Sequence, residues 1–486
     1  MEVTPILSHL LFFIAAALVT GLLIPVAIRV AGKTGIASKV DFRRPQSKPV
    51  PLLGGLPIFF TLAIACFLIT ASELAILLPA TILVAAGLID DAKELAAKPK
   101  FLIHVFVLGL WLYLVPYDSL TFSNLNVHPG FIYAFLMFWG VGVINAFNMI
   151  DGMDGEAGGT ALFIFLAAAY LHLGTPQSLL ALTLAGACVG FLFFNLPPAK
   201  IYLGEVGSTL LGFTTLYIAA TLPVSETASS LAVAAPLFLL AVPEVDAVAA
   251  MIRRWSYKTS LTKGDRDHIH HKLKKLGLNV PQALFLIYGV AVYCALTTLV
   301  LATNSDFQTS LIVFCLSTLS LLGVLASIYY LEYRQAKQIS LLSQTMMQRH
   351  LSLKKHVIVS TTAFHATIYD LLPYYKELQL KGVEDVDHFI QDFAEHISTH
   401  HPEAQLALYG SYTVVATEAP SKDLDQKRKS IVDNVYHVLE RHQIMKNDNA
   451  LPWGLRFYDH SKNQDEFFKR YSAILSKKGD GDSVTA

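Results

Sequence analysis

The chain alternates between long apolar runs and short polar connections. Eleven runs stand out, at residues 6–30, 52–71, 75–89, 101–116, 130–147, 159–173, 177–194, 206–222, 229–251, 281–302 and 309–331. A helix needs ~20 apolar residues to cross a bilayer core, and the third and sixth runs fall short of that, so their limits are soft. The connections alternate in charge. Those after runs two, four, six, eight and ten hold no Lys or Arg. Those after runs one, three, seven and nine hold Lys33 to Lys48, Lys93 to Lys100, Lys200, and Arg253 to Lys275. Basic connections are retained on the cytoplasmic side. The connection after run five has no basic residue and is assigned to that side by alternation. An odd number of spans then puts the amino terminus outside and the tail inside.

From Tyr333 the pattern changes, because no further run of membrane length follows. The expected organisation is a transmembrane domain at 1–331, a linker or polar helix at 332–355, a cytoplasmic α+β domain at 356–478 and a disordered tail at 479–486. Within the third part, His356–Ser360 and Trp453–Tyr458 read as strands and Gln405–Ala416 as a hairpin. Val386–His400, Leu424–His442 and Gln464–Ser476 read as helices. Interleaved strands and helices suit a small sandwich. The fold class expected is thus an all-α polytopic membrane protein of about eleven transmembrane helices with a small C-terminal cytoplasmic α+β domain.

Composition agrees with this picture and narrows the function. Of 486 residues, 53% are hydrophobic and only 15% charged, and the mean hydropathy is +0.48. The formal net charge is zero, so no basic field calls for nucleic acid as a partner. Cys66, Cys188, Cys294 and Cys315 all lie in apolar runs without metal-ligand spacing, which makes them small buried hydrophobes rather than a disulfide framework. The first run is too long for a signal-peptide core and has no basic region before it, so it reads as a retained transmembrane helix.

Dense polar motifs fall on the cytoplasmic connections. Asn145-Ala146-Phe147-Asn148-Met149-Ile150-Asp151-Gly152-Met153-Asp154-Gly155 emerges from an apolar run with two amides and two carboxylates at the membrane edge. A membrane-embedded Asp costs roughly 2.5–3.5 kcal/mol on insertion scales, and a helix cap needs only one or two of these residues. Asp90-Asp91 follows Gly87-Leu88-Ile89 directly. Adjacent carboxylates at an apolar helix end repel one another unless a cation sits beside them, and Mg²⁺ takes oxygen ligands together with phosphates. Tyr202-Leu203-Gly204-Glu205-Val206-Gly207-Ser208 offers backbone N–H groups at a helix start for phosphate oxygens, plus the Glu205 carboxylate. Asp265-Arg266-Asp267-His268-Ile269-His270-His271 gathers three imidazoles beside an Arg. Three neutral His would suit Zn²⁺, but Arg266 suits phosphate better. Asp41 to Lys48 places Arg43, Arg44 and Lys48 at the inner leaflet, where a plain topology signal is the simpler alternative to an anion site. Oxygen ligands, cations and a candidate base on one membrane face are the equipment of phosphoryl transfer. A transporter for an anionic solute also carries intramembrane carboxylates, but it would place them at the midplane between inverted repeats. A non-catalytic scaffold is a third alternative.

On these motifs the sequence resembles the polyprenyl-phosphate N-acetylhexosamine-1-phosphate transferase family, in particular its bacterial undecaprenyl-phosphate GlcNAc-1-phosphate branch. Five motifs follow in family order: Asp41 to Gly55, Asp90-Asp91 with Lys100 following, Asn145 to Glu156, Tyr202 to Ser208, and Asp265 to His271. The resemblance implies transfer of a sugar 1-phosphate from a UDP-N-acetylhexosamine to undecaprenyl phosphate, with Mg²⁺ or Mn²⁺ and release of UMP. It implies Asp90 and Asp91 as catalytic residues and Asp91, Asn148 and Glu205 as metal ligands. Asn145, Asp151, Asp154, Arg266, His268, His270 and His271 would bind the nucleotide sugar, and Arg43, Arg44, Lys48 and Lys100 the lipid phosphate. The expected setting is a bacterial inner membrane, with membrane lipid as surroundings; a homodimer is compatible with the sequence. The Asp-Arg-Asp-His-Ile-His-His form is similar to the GlcNAc-type branch, whereas the MurNAc-pentapeptide branch usually has a triple-His run. Four positions depart from the family pattern: Gln46 for His, Glu156 for Leu, His104 where Gln is common, and Glu205 for Asp. The tail's order of elements resembles a degenerate diguanylate-cyclase-like domain lacking the Gly-Gly-Asp-Glu signature, which implies a regulatory or docking role.

Overall fold

The structure is a computed structural model and describes residues 3–38, 49–69, 74–123, 125–225, 227–256, 268–350, 365–371, 383–402, 404–409, 413–418, 424–442 and 455–459. The expected anion-binding residues Arg43, Arg44, Lys48 and Arg266 lie outside the described residues. So do the strand expected at 356–360, the helix expected at 464–476 and the tail at 479–486. The chain divides into two compact units, residues 1–274 with 278–328 and residues 275–277 with 329–486.

Ten of the eleven apolar runs are single helices: α1 Val3–Thr34, α2 Gly55–Ile69, α3 Leu74–Lys93, α4 Ala97–Leu114, α5 Pro129–Ile150, α6 Glu156–Leu171, α7 Pro176–Asn195, α8 Gly204–Ala220, α12 Val280–Thr303 and α13 Phe307–His350. The ninth run is broken. It forms a 3-10 turn at Ser230–Ala234 and α9 Ala235–Leu239, and then α10 Ala241–Ser256, set at 76°. A short α11, Ile269–Lys275, precedes α12. Among the described residues, seven helices are long and apolar enough to cross a membrane, or eight if the bent pair counts as one span. The chain is therefore a mostly helical, multi-pass membrane protein. Helices α2 and α6 are apolar but have only 15 and 16 residues, short of a full ~30 Å crossing. Helix starts follow local chemistry. Pro129 and Pro176 stand in the first turns of α5 and α7, where the missing N–H costs nothing. Asn279 and Gln282 form a reciprocal capping box at α12.

Helix α8 is the axis of the first unit. Every residue from Val206 to Ala220 is buried, which fits a helix that is apolar all round and packed on all sides. It packs against α2, α3, α5 and α6. Small residues permit this crowding, as is usual where lipid removes the hydrophobic drive between helices. At the crossing of α2 and α8 a Cβ on Gly55 would lie 2.2 Å from the Gly207 backbone nitrogen, and a Cβ on Gly87 of α3 would lie 2.7 Å from Val206 Cα. The two close approaches bring the Gly55 end of α2 and the Asp90 end of α3 onto the first turn of α8, which is where the polar residues gather.

The second unit contains a four-stranded antiparallel sheet of order β2-β3-β1-β4, with β1 His365–Asp370, β2 Gln405–Tyr409, β3 Thr413–Glu418 and β4 Leu455–Asp459. Helices α14 Val383–His400 and α15 Leu424–Arg441 accompany it. On α14, Phe389, Ile390, Phe393, Ala394 and Ile397 are buried, one face at helical spacing. The Tyr369 hydroxyl, from β1, is bonded to His396 Nε2 at 3.2 Å and His401 Nε2 at 2.8 Å. Strand β1 has no counterpart among the expected strands. Helix α13 continues unbroken to His350, the helical alternative of the expected linker or polar helix; its sequence has no Gly or Pro after Gly323 to stop it.

The Gly55 crossing gives a direct stability test. Gly55→Ala forces two helix backbones apart and is expected to cost about 1–3 kcal/mol, or to prevent folding. Gly142→Ala on α5, where nothing lies within 4 Å of the added Cβ, is expected to leave the melting temperature unchanged or raised. Thermal unfolding of the two purified variants decides the matter, and a wild-type melting temperature for Gly55→Ala would contradict the close crossing.

Candidate active site

The paired acids end α3 and face different ways. Asp91 turns to the start of α8, where its carboxylate accepts the backbone N–H of Glu205 at 2.9 Å and of Val206 at 3.4 Å. A helix start carries partial positive charge and unmet donors, so a carboxylate there is stabilising. Gly204 makes the turn possible. Its φ is +70°, and a Cβ there would lie 2.1 Å from the Leu52 carbonyl oxygen and 2.6 Å from Asp91 Oδ2. The sequence expectation that these N–H groups receive phosphate oxygens is corrected here: Asp91 already occupies two of them.

Asp90 is buried, and its Oδ1 accepts the Leu95 N–H, closing the turn between α3 and α4. Its other oxygen is ion-paired with the Lys100 ammonium, which also bonds Glu205 Oε1 at 2.9 Å. Glu205 Oε2 in turn accepts the Asn148 side-chain N–H at 2.8 Å. Four helices thus meet in one chain of contacts: Asp90 from α3, Lys100 from α4, Glu205 from α8 and Asn148 from α5. Lys100 is the cation that relieves the repulsion between these acids, standing between two of them. His104, one turn along α4 from Lys100, lines the same narrow cleft with Asp90, Glu205 and Thr209.

A second group forms around the loop between α5 and α6. Asp151 caps α5, its N–H bonded to the Phe147 carbonyl at 3.2 Å. Asp154 Oδ2 accepts the Ala199 N–H at 3.0 Å, and Gly155, at φ +84°, donates its N–H to Asn195 Oδ1 at 2.9 Å. The two bonds tie this loop to the last residue of α7 and to the segment after it. Asn145 is apart from the group, exposed and bonded back to the Val141 carbonyl of its own helix at 2.7 Å. Gly152 meets His270: a Cβ on it would lie 2.7 Å from both Cε1 and Nε2 of that ring. His268 and His270 are roughly parallel at 5.9 Å, and His271 is 4.2 Å from His270. Burial pushes the His270 imidazole down to about 4, so it is neutral at pH 7.

Two residues of this second group went unread in the sequence. Asp246, buried in α10, is bonded to His268 Nδ1 at 2.9 Å through Oδ2 and accepts the Ile269 N–H at 2.9 Å through Oδ1. The available signal was an acid inside an apolar run, which is functional by default. Tyr288 of α12 donates its hydroxyl to the Gly155 carbonyl at 2.7 Å; a lone Tyr in a long apolar helix gives no such signal.

Among the described residues, no three His, Cys, Asp or Glu side chains are set to hold a metal by themselves. Asp91, Asn148 and Glu205 are hard oxygen donors of the kind Mg²⁺ takes. Their number fits an ion that completes its shell with substrate phosphates and water, not a closed protein cage.

A membrane-face site built of carboxylates, amides and one ammonium is suited to handling phosphates. Comparison with known proteins gives the same class. Residues 73–222 match glycosyl transferase family 4, a stretch that holds Asp90, Asp91, Lys100, Asn148 and Glu205. The chain is 31% identical over 318 residues to the "Probable undecaprenyl-phosphate N-acetylglucosaminyl 1-phosphate transferase" of Bacillus subtilis (strain 168), covering 63% of this chain and 88% of that protein. It is 31% identical over 328 residues to the "Undecaprenyl-phosphate alpha-N-acetylglucosaminyl 1-phosphate transferase" of Escherichia coli O157:H7, covering 64% and 88%. With the protein of the same name from Escherichia coli (strain K12) it shares 32% over 313 residues, covering 60% and 84%. The chain belongs to glycosyl transferase family 4 and is a phosphoglycosyl transferase.

The bridging ammonium makes a prediction that needs no substrate. Lys100→Met keeps the length of the side chain but leaves Asp90 and Glu205 facing one another. The loss should be on the order of 2 kcal/mol, below the ~3–5 kcal/mol of a fully buried pair because the Lys100 side chain is 28% exposed. Millimolar Mg²⁺ should then raise the melting temperature of the variant more than that of the wild type, since a bound cation replaces the lost one. A variant with wild-type stability and no response to Mg²⁺ would contradict the bridging role.

Proposed function

We propose that this chain transfers N-acetylglucosamine 1-phosphate from UDP-N-acetylglucosamine to undecaprenyl phosphate, releasing UMP and starting a cell-surface glycan on its lipid carrier. One observation carries the reading: Asp90, Asp91, Lys100, Asn148 and Glu205, far apart in sequence, form a single network where the ends of α3, α4, α5 and α8 meet. The names of the relatives support the choice of acceptor and sugar. Reaction occurs at the cytoplasmic face of a bacterial inner membrane, with eleven spans, the amino terminus outside and the second unit inside, as the alternation of basic loops favours. In that setting a soluble nucleotide sugar and a lipid phosphate reach the same helix ends from opposite sides.

In the transfer, an oxygen of the lipid phosphate attacks the sugar-bearing phosphorus of the donor. The bond from that phosphorus to the bridging oxygen breaks, and its electron pair leaves with UMP. Little covalent work falls to the protein, so positioning and charge neutralisation carry the rate. Asp90 takes the proton that remains on a singly ionised lipid phosphate. Lys100, between Asp90 and Glu205, pairs with phosphate oxygens as they arrive, and Arg43, Arg44 and Lys48 draw the lipid headgroup to the site. Asp91, Asn148 and Glu205 would hold Mg²⁺ or Mn²⁺, which neutralises charge on the donor diphosphate when bound. Asp151, Asp154 and the imidazoles of His268, His270 and His271, with Arg266 and Asn145, receive the nucleotide sugar. The second unit serves regulation or docking.

Purified protein with undecaprenyl phosphate and a panel of UDP-sugars tests the reading. UMP is expected from UDP-N-acetylglucosamine, dependent on Mg²⁺ or Mn²⁺. Glu205→Gln is expected to lower turnover about 100-fold or more, the scale of losing one preorganised electrostatic partner, and to weaken the response to metal. No UMP from any donor would overturn the reading, and an unchanged metal titration in Glu205→Gln would remove Glu205 from the ligand set.

A further inference from the structure

Glu156 begins α6, and it is 3% exposed. Its Oε2 lies 3.1 Å from His270 Nδ1, a close approach without the alignment of a good hydrogen bond. His270 is itself 1% exposed, and its Nε2, on the far side of the ring, has no hydrogen-bond partner among the described residues. That nitrogen lies 2.7 Å from where a Cβ on Gly152 would be. The ring is therefore gripped between the Glu156 carboxyl on one side and the backbone of the Asp151–Asp154 loop on the other. Asp246 is hydrogen-bonded to His268, so two acids from two different helices, α6 and α10, each stand against one ring of the His-Ile-His pair.

A buried carboxyl is an expensive way to fill space. Replacing a buried ionic contact with a well-packed apolar side chain is often neutral or stabilising by ~1–4 kcal/mol, and the family pattern has Leu here. Packing alone therefore gives no reason for Glu156. What an acid can do and a leucine cannot is fix the rotation of an imidazole, which decides which ring nitrogen faces the loop. The same logic applies to imidazoles at metal sites, where a carboxylate behind the ring sets its orientation.

We propose that Glu156 is a positioning residue for the donor's diphosphate, acting through His270 by holding the ring so that Nε2 faces the Asp151–Asp154 loop. The inference rests on the transferase reading above and deepens it: Glu156 touches neither substrate, but sets His270, which bears on the Asp151–Asp154 loop assigned to the donor. Other charged or titratable groups also face this pair. Asp246, His268 and Lys274 act on both residues, Tyr288 faces Glu156, and His271 packs against His270.

The test uses the full chain and reads the KM for UDP-N-acetylglucosamine, kcat and the melting temperature together. In Glu156→Leu the KM should rise on the order of tenfold, the scale of one hydrogen bond involving a charged or strongly polar partner. The kcat should stay within about threefold, and the melting temperature should be unchanged or higher. Glu156→Gln keeps a hydrogen-bonding end and should recover most of the donor KM. In a His270→Ala background, Glu156→Leu should have no further effect on KM, because the two act as one unit. A wild-type KM in Glu156→Leu, or a Gln variant as impaired as the Leu variant, overturns the inference while leaving the transferase reading intact. A wild-type protein that releases no UMP from any UDP-sugar overturns the transferase reading itself, and the positioning role with it.

Discussion

The structure depends on one ammonium held between carboxylates. Asp90, Asp91 and Glu205 are brought together by the meeting of α3 with α8, and two unit charges ~4 Å apart interact by about 4 kcal/mol at the effective dielectric of a protein surface. Lys100 converts that repulsion between Asp90 and Glu205 into attraction. Asp91 is relieved differently, by the first N–H groups of α8. Between them the two devices lock four helix ends into one geometry, and Asn148 completes it by holding the remaining oxygen of Glu205. A site made this way is rigid before any substrate arrives, which is what catalysis by positioning requires. It is also exchangeable, because an arriving phosphate or divalent ion offers the same charges a different partner.

The second group is built on another principle. Its loop is tied down by bonds that use up functional-looking residues: Asp154 holds the Ala199 N–H, and Asn195 holds the Gly155 N–H. The histidines stand at the start of α11, with His268 just before it, beside the acids Asp246 and Glu156. The site is thus a junction of two separately anchored pieces. The break between α9 and α10 matters to it, because α10 carries Asp246 toward His268 after the 76° bend.

Much of the fold could be read in the sequence because apolar runs of near-membrane length announce themselves, and ten of the eleven became single helices. The ninth run could not be read as broken from hydropathy alone, although Pro243, Glu244 and Asp246 within it marked a discontinuity. Strand β1 escaped notice because His365–Asp370 is only six residues long and carries a His and an Asp at its ends. At the site, the motifs identified which polar residues matter, but not what each one touches. Lys100 is 105 residues from Glu205 and Asn148 is 57 from it; no periodicity encodes such pairings. The departure at Glu156 was visible in the sequence, whereas its partner His270 became visible only in three dimensions.

The location of a divalent ion bound together with nucleotide tests the account most directly. Crystals of the full chain with UDP and Mn²⁺ would reveal the ion by its anomalous scattering. The account predicts a peak at coordination distance, about 2–2.5 Å, from oxygens of Asp91, Asn148 or Glu205, with the Lys100 ammonium turned from Glu205 toward phosphate. A nucleotide-bound structure whose ion lies away from the junction of α3 and α8, with Lys100 still bridging Asp90 and Glu205, would contradict it.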